Sequence, residues 1–182
     1  MENAALFVDF MYAITVGASL PRLDEKTLDF GNPLLWALLF MLSVFLEDFY
    51  LYHTQVAPLL KGLPRWRGFI LTMSIIGSWY VSQTAFPNRL NWFLWSFCLF
   101  FLLKLAGGLF MKPTQYPTPH DYLFLIPAGT SAVLAMMNAS SCIAVSPSGA
   151  LLFLVPGWLL SVILWWRLSA ATAATTASHE GD

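Results

Sequence analysis

Apolar positions along this chain fall in unbroken runs rather than in stripes at helical spacing. A helix bathed in water needs a polar face, so runs of this kind mean that lipid is the solvent. Turn signals divide the chain into six runs, residues 4–20, 33–53, 67–86, 90–111, 121–139 and 148–168, each read as a membrane helix. Pro21 ends the first, Asn32-Pro33 opens the second, Pro87-Asn88 stops the third and Lys112-Pro113 stops the fourth. The fifth run is short and holds Pro127; without it the chain has five spans and its termini lie on opposite sides. The expected fold is all-α, a polytopic membrane protein with six transmembrane helices over residues 1–168. Residues 169–182, rich in Ala, Thr and Ser, are expected to form a disordered cytoplasmic tail.

Composition narrows the class further. The 182 residues are 58% hydrophobic and 10% charged, against roughly 25% charged for a soluble domain. Eight Trp and six Tyr suit the two interfaces of a bilayer. A net charge of −1 argues against nucleic acid as a partner. Cys98 and Cys142 lack metal or redox spacing and read as small apolar packing residues. His53, His120 and His179 are far apart, and no zinc-protease, nucleophile-elbow or phosphate-loop motif is present. No enzyme, cofactor or metal site is expected. A signal peptide would need a basic start and a clean apolar core, whereas the chain opens Met1-Glu2-Asn3 and Asp9 interrupts the run. Asn138-Ala139-Ser140 matches a glycosylation acceptor but hugs the membrane.

Basic residues set the expected orientation. Lys61, Arg65, Arg67, Lys112 and Arg167 collect on one side; Arg22, Lys26 and Arg89 collect on the other, diluted by Asp24, Glu25 and Asp29. The positive-inside rule then puts both termini in the cytoplasm. Small residues at Ser74, Gly77, Ser78, Ala128, Gly129, Ser131, Ala132, Gly149 and Gly157 allow close helix approach. Pro127 and Pro156 each free a carbonyl and are candidates for kinks.

Asp9, Glu47, Asp48, His53 and Lys104 are ionisable groups within or at the edge of spans. From the cytoplasmic ends, Asp9 lies roughly 7 Å deep, Glu47 and Asp48 roughly 9 Å and Lys104 roughly 10 Å at 1.5 Å per residue. All five therefore gather in the cytoplasmic third, where burial requires mutual pairing. One reading is a structural polar cluster, Lys104 paired with Glu47 or Asp48 and Asp9 bonded to His53. The other is a proton or cation relay. Snorkelling of Lys104 to the inner surface is a third arrangement. Neighbours on a helix are about 100° apart, so Glu47 and Asp48 are not expected to face one partner together.

The stretch Phe7-Val8-Asp9-Phe10-Met11-Tyr12-Ala13-Ile14, with Phe49-Tyr50-Leu51-Tyr52-His53 closing the second span, resembles the transmembrane protein 175 family of potassium channels. The likeness covers about the first 55 residues by motif. It implies a six-span subunit of a bacterial homotetramer, an oligomeric helical bundle in the inner membrane. It also implies a pore lined by the first span and narrowed by a ring of Ile14, with a monovalent cation, potassium, as the permeant ion. Asp9 then points about 140° away from Ile14, into the neighbouring spans, while Phe10, Gly17 and Pro21 share the pore face with Ala18 close by. Val8 stands where the family has Ser, and Gly17 where it often has Thr, which removes a hydroxyl ring. The alternatives are an ion- or proton-coupled transporter using Asp9, Glu47, Asp48 and Lys104, and a non-conducting membrane assembly partner.

Overall fold

A computed structural model describes residues 2–18, 29–51, 65–111, 121–141 and 143–179. Every regular element among them is helical: α1 (Glu2–Gly17), α2 (Pro33–Leu51), α3 (Arg65–Ala85), α4 (Leu90–Met111), α5 (Leu125–Ala139) and α6 (Pro147–His179), with a 3-10 turn, Asp121–Phe124, leading into α5. Each of the six expected runs holds one helix, offset by a few residues at its ends except that the last helix runs on from 168 to His179. Among the described residues three helices are long and apolar enough to cross a bilayer, with spans at Leu90–Gly107, Tyr122–Ala139 and Pro147–Leu168; Val8–Gly17 is a shorter apolar helix. This is the build of a membrane protein.

Local chemistry explains the ends. The Leu34 N–H donates to Asn32 Oδ1 at 2.9 Å and the Leu35 N–H to the Asn32 carbonyl at 3.1 Å. Asn32 thus caps α2 with Pro33 at the first helical position, whose missing N–H costs nothing there. Between α3 and α4 the turn Phe86–Arg89 contains a cis Phe86-Pro87 bond. The α3–α4 hairpin is clipped inside by the Ser82 and Ser96 hydroxyls, 2.9 Å apart.

Pro127 lies in the first turn of α5, directly after the 3-10 turn Asp121–Phe124, and its missing N–H falls among the first four of the α-helix, which have no partner within it. One local expectation is corrected. The expected disordered tail from residue 169 is helical backbone as far as His179. Ala is the strongest helix former, and an Ala-rich stretch joined to a formed helix needs no new nucleus.

Helix α4 is the centre of the bundle. It packs against α3 and α5, α5 packs against α6, and α2 reaches α3 and α6. Phe93, Leu94, Phe97, Phe100 and Phe101 on α4 are fully buried. Their rings form a chain, Phe93–Phe97 at 5.5 Å, Phe97–Phe101 at 5.0 Å and Phe100–Phe101 at 5.1 Å, joined by Phe40 of α2 at 5.5 Å from Phe97. In lipid the driving force for such packing is dispersion contact between well-fitted rings. Gly157 of α6 sits where a Cβ would lie 3.4 Å from Thr130 Oγ1, so α5 and α6 approach closely there. A Cβ on Gly77 or Gly129 would meet nothing within 4 Å, so neither glycine serves a close approach within the subunit.

Candidate functional site

The Lys104 ammonium stands between both acids of α2. Its Nζ lies 3.3 Å from Asp48 Oδ1 and 3.4 Å from Glu47 Oε1, and its side chain is almost wholly buried. The expectation that these neighbours could not share a partner is therefore corrected. Their Cα–Cβ bonds do diverge, but Glu47 has one more methylene than Asp48 and the lysine stem is long, so the three charged tips converge. Snorkelling is excluded as well, since the ammonium is seated among the rings of Phe124, Phe100 and Phe101, 4.7, 5.4 and 5.9 Å from their centroids. These rings offer their negative faces to the cation.

Two further donors complete the cluster. The Tyr12 hydroxyl of α1 donates to Asp48 Oδ2 at 2.7 Å, and the Trp158 indole N–H of α6 donates to Glu47 Oε2 at 3.1 Å. Each of the four carboxylate oxygens thus has a donor. One ammonium faces two carboxylates, so the Tyr and Trp donors spread the excess negative charge. This satisfies the rule that buried charge must be paired and hydrogen-bonded. Four helices, α1, α2, α4 and α6, meet at this point.

Neither Tyr12 nor Trp158 stood out in the sequence. The signal was there in principle: a buried phenol or indole seeks a polar partner, and Tyr12 lies within about one helical turn of Asp48 in depth. What the sequence lacked was the direction in which either ring points.

Asp9 lies one turn before Tyr12 and is half-buried, with Oδ1 shielded from solvent. Lys104 makes ion pairs with Glu47 and Asp48. His53, the expected partner of Asp9, and Pro21, expected on the pore face, both lie outside the described residues. Among the described residues no group of three or more His, Cys, Asp or Glu could hold a metal ion.

Helix α1 has two unlike faces. Val8, Tyr12 and Thr15 are buried, with the Tyr12 ring 4.8 Å from Phe45 and 5.2 Å from Phe49. Phe10, Ala13, Ile14, Gly17 and Ala18 are exposed on the subunit, Phe10 at 60% and Ile14 at 46%. The exposed set recurs at intervals of three and four, as one side of a helix must. A Cβ added at Gly17 would meet open space. The Thr15 hydroxyl is on the buried side and donates to the Met11 carbonyl at 2.6 Å.

Comparison with family models, with curated proteins and with solved structures finds no match for this chain.

Proposed function

We propose that this chain is a six-span subunit of a homotetrameric cation channel, with potassium as its main ion. The pore is lined by the α1 face that carries Phe10, Ile14, Gly17 and Ala18. Four copies of Ile14 form the constriction, a hydrophobic ring that gates by dewetting. The protein sits in a bacterial inner membrane with both termini in the cytoplasm. It carries no cofactor or nucleic acid.

The observation that carries this reading is the division of α1. Ile14 and Phe10 point out of the subunit while Val8, Tyr12 and Thr15 point in. A pore helix needs this arrangement: one side anchored to its own bundle, the other free to face the symmetry axis. Gly17 adds no side chain to that face and leaves room for ions beyond the Ile14 ring.

The second reading, a proton- or ion-coupled carrier, draws on the buried titratable cluster. Glu47, Asp48 and Lys104 bring two acids and one amine together at a largely buried point. Against a relay role stands the satisfaction of all four oxygens of Glu47 and Asp48 by donors. Such an arrangement holds helices together more readily than it passes protons.

Ion flux from proteoliposomes separates the two. Wild type is expected to pass potassium faster than sodium, and Ile14→Asn to raise flux or erode that preference, because an amide ring wets the constriction. Flux that saturates with ion concentration and disappears in Glu47→Gln or Asp48→Asn, with no response at Ile14, would favour the carrier.

A further inference from the structure

Helix α1 is short and, Asp9 apart, carries apolar residues on both of its sides. In water its rotation would be set by burying the more apolar face. In lipid that preference nearly vanishes, because acyl chains are as apolar as a leucine side chain. Val8 and Met11 inward, or Phe10 and Ile14 inward, differ little in hydrophobic terms. Directional contacts must then choose between them.

We propose that Tyr12 is the positioning residue of α1. Its hydrogen bond to Asp48 sets the rotation of the helix and so keeps the Ile14 face pointing out of the subunit. Helical geometry makes the link rigid: Tyr12 and Ile14 are two positions apart, about 200° of rotation, so fixing one inward fixes the other outward. The bond suits the task. It is buried and 2.7 Å long, the length of a charge-assisted hydroxyl–carboxylate bond. Its acceptor is itself immobilised, because Lys104 holds the other oxygen of Asp48. Lys104 also holds Glu47, whose second oxygen takes the Trp158 N–H. The α1 helix is thereby referred to α4 and α6 through two adjacent acids of α2. Trp158 acts at one remove, steadying Glu47 rather than Asp48.

The effect of this residue on conduction rests on the pore reading above; its effect on helix rotation does not. The test uses nitroxide labels on Ile14→Cys or Val16→Cys in a background with Cys98→Ala and Cys142→Ala, reconstituted in liposomes. Ile14 is exposed and Val16 is half-buried on the opposite side. Collision rates with oxygen and with a water-soluble nickel chelate report exposure to lipid and to water. In the parent, the Ile14 label collides more often than the Val16 label. Tyr12→Phe keeps the ring against Phe45 and Phe49 and removes only the hydroxyl. It is expected to shift the balance between the seated and rotated helix on the order of tenfold, which narrows the contrast between the two labels. Ser82→Ala removes a buried interhelical hydrogen bond elsewhere and leaves the contrast unchanged. Trp158→Phe narrows it less than Tyr12→Phe does, and decides the matter if Tyr12→Phe does not fold.

An unchanged contrast in Tyr12→Phe, or in Trp158→Phe should that be the variant that folds, overturns the proposal. Equal narrowing in Ser82→Ala also overturns it, since any loosened bundle would then do the same. Nickel collisions at Ile14 and faster potassium flux in Tyr12→Phe support the pore reading as well. Oxygen collisions alone at Ile14, with no flux, remove the pore reading while leaving the rotation test intact.

Discussion

Lys104 is the residue on which the most charge depends. It neutralises one of two buried carboxylates and is held by three aromatic rings besides. Removing it leaves two acids side by side without a counterion. Lys104→Met is therefore expected to cost about 3–5 kcal/mol, seen as a large fall in thermal stability in detergent. The triple variant Lys104→Met, Glu47→Gln, Asp48→Asn recovers much of the loss, because it removes the bare charges together with their partner. A double-mutant comparison with each acid changed alone apportions the pair. Trp158→Phe is milder: the Glu47 oxygen loses a charged-acceptor hydrogen bond, about 1.5–3 kcal/mol, while an aromatic ring is retained against Phe40.

At the scale of the element, α4 shows most clearly what packing selects. Its Trp92, Trp95, Leu99 and Leu102 are exposed, while Phe93, Leu94, Phe97, Phe100 and Phe101 are buried, and both sets are apolar. Phe97→Ala opens a cavity among four ring partners and is expected to lower stability by about 3–5 kcal/mol. Leu99→Ala on the outer side changes little by the same thermal assay. Glycines divide in the same way. A larger side chain at Gly157 must push α5 and α6 apart at Thr130, so Gly157→Leu should cost about 1–3 kcal/mol. Gly129→Ala meets open space within the subunit and should gain up to about 1 kcal/mol of helix propensity. A loss at Gly129 instead, accompanied by dissociation of the oligomer, would place that glycine in a contact between subunits.

The described residues form a bundle around α4, with α1 packed against α3 and joined to α2 through rings and through Asp48. A subunit with such an α1 leaves an apolar helix face that only lipid or another copy can cover. The proposed assembly makes a direct demand: native mass spectrometry of the purified protein should give four chains, and cysteines placed at Ile14 should cross-link between copies. Monomers carrying no flux would remove the channel reading. They would leave the four-helix charge cluster as a structural feature of the bundle.

The polar–apolar pattern by itself determined that the chain is helical and built for lipid, and it placed the helices within a few residues, apart from the extension of α6 to His179. It did so because caps and breakers such as Asn32-Pro33 and Pro87 act locally. It also marked Glu47, Asp48 and Lys104 as partners, since charges at one depth in a bilayer have few other ways to be satisfied. Tertiary structure decided the rest. Which side of α4 is buried cannot be read from a helix that is apolar all round. The convergence of both acids on one ammonium depends on side-chain reach, not on helical angle. The roles of Tyr12 and Trp158 depend on where two rings point, and nothing in a one-dimensional pattern records that direction.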